Sequence, residues 1–116
     1  MATSSTRLTG AGGRVVCEHL LVAARPLRRM RGLLGRASLP SGEGILLRPA
    51  GSVHTFFMRF PIDVVFLDRE NFVVGVDEAV APWRTAGRRG ASAVVELAAG
   101  ECERRGVAVG DRLEVS

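Results

Sequence analysis

Apolar residues in this chain come in short runs, separated by glycine, proline and polar residues about every ten positions. Most runs are rich in valine, isoleucine and phenylalanine, which favour strands. The pattern predicts about seven strands, at 15–22, 44–48, 52–58, 62–68, 72–76, 92–97 and near the end of 107–115. It also predicts two short helices. One begins at Pro26 and ends near Gly35, and the other lies within 98–105 and is ended by Gly106.

The spacing of these runs indicates the fold class. Strands do not alternate with helices, so a parallel α/β sheet is not expected. Runs 52–58 and 62–68 are apolar on both alternating faces, which is typical of central strands covered on both sides. Arg69-Glu70-Asn71 predicts a tight hairpin connection to 72–76. We therefore predict a mainly β (β-rich α+β) protein, a compact β-roll or barrel-like sandwich.

A chain of 116 residues is the size of one domain. Residues 1–13 are small, polar and glycine-rich, and are expected to be disordered or loosely attached. Residues 14–116 are expected to form the single β-rich domain.

Composition indicates a cytoplasmic protein. Apolar residues make up 47% of the chain, yet no apolar run approaches the roughly 20 residues that span a membrane. The first residues show no signal-peptide pattern. Cys17 and Cys102 lie far apart in sequence and are expected to be reduced, buried thiols. We therefore expect no membrane association.

All 16 basic residues are arginine, and the net charge is +4. A basic balance can bring a protein to nucleic acid or another anionic partner. The arginines cluster on the predicted helix Arg28–Arg36 and again at Arg84, Arg88 and Arg89. The alternative is a solvated arginine surface that reflects coding bias.

The densest apolar stretch, Gly51 to Asp68, also carries polar residues. Polar groups that enter a core need partners or a function. If 52–58 is a strand, His54, Phe56 and Met58 share one face and Thr55 and Phe57 share the other. His54 is then either a core histidine bonded to a backbone carbonyl or a neutral imidazole at the rim of an apolar pocket.

Five further residues complete the candidate ligand-binding set. Arg59 and Asp63 are about 13 Å apart on an extended chain, so they pair only if Phe60-Pro61 bends it. If they do not pair, Arg59 is free to bind an anion. Trp83 anchors its loop on the core or forms a flat pocket wall beside Arg84. Glu96 faces solvent, pairs with an arginine or, less favourably, acts as a catalytic acid.

No catalytic residue, cofactor or metal site is expected. The sequence has no phosphate-binding loop, nucleophile elbow or recognisable serine–histidine–aspartate order. Cys17 and His19 share a face of the predicted first strand, but no second such pair follows, and zinc needs three or four protein ligands.

Several segments together resemble the bacterial and archaeal domain of unknown function family 192. They are Met30–Arg36, Gly42–Leu47, His54–Asp68, Val94–Gly100 and Gly106–Asp111. The resemblance implies a compact β-rich domain and no established reaction. The family positions it matches are Gly32, Gly44, His54, Met58, Pro61, Asp63, Glu96, Gly100, Gly110 and Asp111.

Three functions fit these observations. The leading hypothesis is a binding module for an unknown small molecule, with an apolar pocket lined by Phe56, Met58 and Trp83. Its orienting polar groups would be His54, Thr55 and Arg59. The alternative is an interaction protein that binds nucleic acid or another anionic partner through its arginines. The third is an enzyme with His54 as a general base beside Asp63 or Glu96.

Overall fold

The computed structural model describes residues 6–23 and 37–116 and arranges most of them around one five-stranded sheet. In spatial order its strands are β3 (His19–Ala23), β4 (Glu43–Leu47), β9 (Ala93–Ala98), β6 (Ile62–Leu67) and β7 (Val73–Val80). Strands β3 and β4 are parallel, and every other neighbouring pair is antiparallel.

Two smaller sheets accompany the central one. Strand β1 (Leu8–Thr9) lies between β2 (Val15–Cys17) and β10 (Glu114–Val115). Strand β5 (Ser52–His54) pairs with β8 (Thr85–Gly87) as an antiparallel ribbon. A 3-10 turn, Ala11–Gly13, follows β1. Helix α1, Glu101–Arg105, follows β9 and is ended by Gly106 in the left-handed region, with φ 70°.

The described part of the chain confirms the mainly β fold, with ten strands rather than about seven and without a closed barrel. Alternating residues of β6 and β9 supply two core clusters. The first cluster contains Val65 and Leu97. It also contains Leu8, Val16, Cys102 and Leu113, which lie on the side of the three-stranded sheet and of α1. The second, which includes Val64 and Val94, also includes Val53, Met58 and Phe60 from the β5–β8 side. All six residues of β6 are buried, as predicted for a strand covered on both sides.

Some predicted boundaries were wrong. Run 15–22 divides at Glu18 into β2 and β3, which belong to different sheets. The hairpin after 62–68 is confirmed, and β7 extends to Val80, well past the predicted end. Segment 1–13, predicted to be loosely attached, contributes β1, in which Leu8 is fully buried. The predicted helix 26–35 lies outside the described residues.

A charged network holds α1 against the loop that precedes β4. Glu101 is almost fully buried and pairs with Arg104 and Arg105. Its carboxylate also accepts a 3.1 Å bond from the Ser41 hydroxyl. Arg105 donates two bonds to the Glu18 carboxylate, at 3.0 and 3.1 Å, and this contact lowers the pKa of Glu18. Within the described ranges, no helix has the length and apolar character needed to cross a bilayer.

Candidate functional site

The stretch after β5 leaves the strand pattern at His54, and this places its aromatic residues on the surface. Thr55 and Met58 are buried, whereas Phe56 is 37% exposed and Phe57 is 63% exposed. The reason is a tight turn, in which the amide of Met58 donates to the carbonyl of Thr55 at 3.2 Å. The predicted strand 52–58 is therefore wrong beyond His54, and so is the prediction that Phe56 and Met58 share a face.

Thr55 fastens this turn to the loop that precedes β8. Its amide donates to the Arg84 carbonyl at 2.8 Å, and its carbonyl accepts from the Trp83 amide at 3.0 Å. Its hydroxyl donates to the Ala81 carbonyl at 2.7 Å and accepts from the Arg84 amide at 2.9 Å. Since Thr55 is fully buried, these bonds are shielded from water. The two loops are thus joined through one side chain and its backbone.

The joined loops display three exposed rings, which we call the aromatic platform: Phe56, Phe57 and Trp83. Trp83 is 55% exposed. Its ring centroid lies 5.8 Å from that of Phe56, with planes 25° apart, and 4.6 Å from that of Phe57. The imidazole of His54 extends the row, 4.8 Å from Phe56. Aromatic contacts of this kind hold the rings in a fixed arrangement while their outer faces meet solvent.

Two platform residues have unfavourable backbone conformations. Phe57 has φ 68° and Trp83 has φ 66°, in the left-handed region that bulky side chains rarely occupy. Phe57 also occupies the third position of the 55–58 turn, where glycine or asparagine is usual. Such outliers persist only where the surrounding structure enforces them, and they cluster at functional sites. Their presence at two exposed aromatic residues marks the platform as the candidate site.

Substitution of Phe57 measures this strain directly. We expect Phe57→Gly to be more stable than Phe57→Ala by about 1 kcal/mol, because both lose the ring but only glycine relaxes at positive φ. Urea unfolding of the two variants gives the difference. Equal stabilities, or a more stable alanine variant, would show that the Phe57 backbone carries no strain.

Polar candidates surround the platform. His54 is half-buried, and its Nδ1 accepts a 3.3 Å bond from the Phe56 amide, so Nδ1 carries no proton in this arrangement. Arg59 and Arg84 are exposed, and an Nη1 of Arg84 donates to the Trp83 carbonyl at 3.3 Å. The structure therefore brings together His54, Thr55, Phe56, Trp83 and Arg84, with Arg59 two residues from Phe57.

Asp63 lies apart from this group. Its carboxylate is fully buried on the first-cluster side of β6 and accepts three backbone N–H groups: Ala79 at 2.8 Å, and Gly100 and Cys102 at 3.0 Å each. Of the two alternatives left open by the sequence, pairing with Arg59 is therefore not the one that engages the Asp63 carboxylate. These bonds tie β6 to the end of β7 and to the start of α1, so Asp63 has a structural function.

Glu96 and Met58 are also buried. Glu96 lies mid-strand in β9, paired in register with Ile45 and Val64. Its side chain is fully buried, so the interpretation that Glu96 faces solvent was wrong. Met58 is 6% exposed and packs in the second core cluster. The observed positions of Phe56, Met58 and Trp83 therefore do not support the predicted pocket lined by these three side chains. The described residues form a depression of about 430 Å³ elsewhere, lined by 68–70 and 90–92.

Neither cysteine is placed for chemistry. Burial raises the pKa of the Cys17 thiol to about 11, and the thiol donates to the Gly42 carbonyl at 3.3 Å. Burial raises the pKa of Cys102 as well, and the nearby Asp63 charge adds to the effect. Cys17 is buried in β2 while His19 is exposed in β3, so their predicted common face does not exist. The described residues contain no group of three histidine, cysteine or carboxylate side chains suited to hold a metal.

The family model described as "Uncharacterized ACR", domain of unknown function family 192, matches residues 7–115. The chain belongs to this family. A UPF0127 protein from Thermococcus sibiricus is 30% identical over 107 residues, which cover 88% of this chain and 69% of that protein. A UPF0127 protein from Pyrococcus furiosus is 45% identical over 64 residues, which cover 54% of each chain.

Two solved structures of this size share the fold. A protein of unknown function from Novosphingobium aromaticivorans superposes with a TM-score of 0.78 at 23% identity, covering 94% of this chain and 82% of that one. A protein from Sinorhizobium meliloti superposes with a TM-score of 0.80 at 26% identity, covering 99% and 98%. Membership of domain of unknown function family 192 therefore indicates the fold of this chain, and the residues of the candidate site are the basis for its proposed function.

Phe57 was not among the residues predicted for the site, because the apolar pocket wall was assigned to Phe56 and Met58, on the predicted face of His54. A signal was nonetheless present. Two adjacent phenylalanines point to opposite sides of a strand, and both can be buried only in a strand covered on each face. Ribbon β5–β8 is not such a strand pair, since Ser52, Thr85 and Gly87 are exposed.

Proposed function

We propose that this protein is a binding module whose binding surface is the aromatic platform, and that its ligands carry a flat ring and a negative charge. The observation that supports this most directly is the exposure of Phe57 and Trp83 on left-handed backbone. Exposed apolar surface that is held rigidly, at a cost in strain, is typical of interaction sites.

The surroundings of the platform favour the ring-and-anion ligand. Ring faces offer stacking to a flat ligand, and exposed Arg59 and Arg84 at the edges offer hydrogen bonds to an anion. Because Thr55 already fixes both loops, little conformational entropy remains to be lost on binding. The small molecule is thus proposed to bind on an open surface, whereas the sequence suggested an enclosed pocket.

The enzyme hypothesis gains no geometric support. Asp63 is engaged by three backbone amides on the other side of the sheet from the second core cluster, so it does not orient His54. The Nδ1 of His54 is occupied by the Phe56 amide. We therefore propose binding rather than catalysis, and we place the protein in the cytoplasm, where two buried free thiols remain reduced.

One comparison bears on the choice of ligands to be tested. The Sinorhizobium meliloti neighbour is described as a protein proposed to be a transcription regulator. That description concerns the neighbour, and for this chain it supports only the inclusion of nucleic acid among the ligands to be tested.

Trp83 is the only tryptophan in the chain, so its fluorescence reports directly on the platform. We expect adenosine and thymidine monophosphates to change Trp83 emission in a saturable way, and ribose phosphate, which has no aromatic base, to have little effect. Phe56→Ala should weaken nucleotide binding about fivefold or more, the effect of one lost stacking contact.

Phe72→Ala is the matched control. Phe72 is 37% exposed, the same as Phe56, but it contacts the guanidinium of Arg112 in the bridge to the C-terminal segment. Its loss should leave nucleotide affinity unchanged. Absence of any saturable change in Trp83 emission, or equal losses in the two variants, would overturn the proposal.

A further inference from the structure

We infer that the ligand of the aromatic platform is single-stranded nucleic acid, whose bases stack on the platform and whose phosphates contact arginines along the β5–β8 ribbon. This inference rests on the proposed function and names its substrate class. The observation that supports the inference is the distribution of charged residues over the chain.

Basic residues are concentrated around the ribbon. We define the ribbon segments as 48–61 and 81–92, which contain β5, β8 and both platform loops. They hold five of the 16 arginines, none of the 12 acidic residues, and His54. The rest of the chain has 11 arginines against 12 acidic residues and is close to neutral. The whole positive charge of the protein therefore resides on the part that displays the platform.

Three of the five arginines are available to a ligand. Arg88 is engaged, since it pairs with Asp77 at 2.7 Å and lies over the Phe66 ring with its guanidinium carbon 5.2 Å from the centroid. Arg48 bonds to the side chain of Asn71. The other three are exposed: Arg59, Arg84 and Arg89.

The available arginines are spread along the ribbon. Arg84 and Arg89 flank β8, whose three residues span about 10 Å. Arg59 belongs to the opposite loop, two residues after Phe57. Strand β7 carries Asp77, which pairs with Arg88, and the exposed Glu78. Asp68 and Glu70 line a depression together with residues 90–92. A charge distribution extended over this length suits a chain of phosphates better than one isolated anion.

The platform distinguishes single strands from duplexes. Stacking on Phe56, Phe57 or Trp83 requires an exposed base face, which a duplex conceals. Reading a duplex groove commonly uses a helix or a paired-strand ribbon inserted into it, whereas here the exposed rings lie on two tight loops. Aromatic rings beside a basic track are typical of proteins that bind single strands with little sequence preference.

The first test is the salt dependence of binding. Fluorescence anisotropy of a labelled oligothymidylate should show binding to the full chain, with log affinity falling with log salt at a slope of about −2 for three phosphate contacts. Affinity should therefore drop roughly 15- to 20-fold between 50 and 200 mM salt. A matched duplex should bind more weakly at each salt concentration.

Variants assign the contacts. Arg59→Gln and Arg84→Gln should each reduce the magnitude of the slope by about 0.7. Arg14→Gln removes the same charge beside the three-stranded sheet, where the exposed Arg14 contacts the Gly106 carbonyl, and should leave the slope unchanged. Equal changes in all three variants would mean that net charge alone drives association, and that result would overturn the inference.

Other outcomes separate this inference from the proposed function. If mononucleotides change Trp83 emission but the oligonucleotide does not bind, the platform is a small-molecule site and only the inference falls. Tighter binding to duplex, or binding to anionic phospholipid vesicles without binding to the oligonucleotide, would also overturn it. If neither mononucleotides nor oligonucleotides bind, both proposals fall.

Discussion

Asp63→Asn is expected to destabilise the protein by about 4 kcal/mol, a large part of the stability of a domain of this size. The fully buried carboxylate uses both oxygens: Oδ1 accepts from the Ala79 amide, and Oδ2 accepts from the Gly100 and Cys102 amides. In asparagine an NH₂ group replaces one of these oxygens and faces a backbone donor. At least one buried N–H then loses its acceptor, and the charge that strengthened the other bonds is gone. Thermal unfolding should show a midpoint lower by roughly 15 °C.

Asp68→Asn is the control. Asp68 accepts the Glu70 and Phe72 amides, both at 2.9 Å, but it does so through Oδ1 alone. Asparagine reproduces that turn with its single carbonyl oxygen, so the cost should stay within about 1 kcal/mol. A mild effect at Asp63, similar to that at Asp68, would mean that the three amides find other acceptors.

Thr55→Val should destabilise the protein by about 2–3 kcal/mol and uncouple the two platform loops. Valine keeps the approximate shape of threonine but cannot accept from the Arg84 amide or donate to the Ala81 carbonyl. Both groups then lose a buried partner. Urea unfolding gives the stability, and the hydrogen-exchange rate of the Arg84 amide reports the loss of coupling. The rate should rise strongly in the variant, because Thr55 Oγ1 is the acceptor of that amide.

Thr55→Ser separates the hydroxyl from the methyl group. Serine keeps the hydroxyl and loses only one buried methyl, so we expect a cost of about 1 kcal/mol and nearly native protection of Arg84. Wild-type protection of Arg84 in the valine variant would contradict the view that the side chain of Thr55 fastens the loops.

The five-stranded sheet could be predicted from sequence because its strands repeat one simple rule. Strand β6 is apolar on both faces apart from Asp63, as a sheet buried on both faces requires, and Asp68–Asn71 is a recognisable turn. The ribbon could not be predicted in this way. Strand β8 spans only Thr85–Gly87, with no valine, isoleucine or aromatic residue, so it has no strand signal of its own. It forms because β5 supplies its partner.

The candidate site was only partly predictable for a related reason. The sequence identified most residues from His54 to Arg59, though not Phe57, and the pair Trp83-Arg84, but it could not bring the two segments together. Their connection depends on Thr55 and the backbone of Ala81 and Arg84, and backbone groups carry no sequence signature. Alternation then placed Phe57 wrongly, because a turn with positive φ at phenylalanine contradicts local preference and is enforced by the surrounding structure.

The outermost sheet has a consequence for biosynthesis. Leu8 in β1 lies opposite Val115 in β10, so two residues near opposite ends of this sequence must meet before the sheet is complete. Contacts between such distant residues form slowly. During translation, β1 can pair with β2 as soon as both have emerged, but its other edge stays open until β10 has been made. The three-stranded sheet is therefore expected to be completed late in folding.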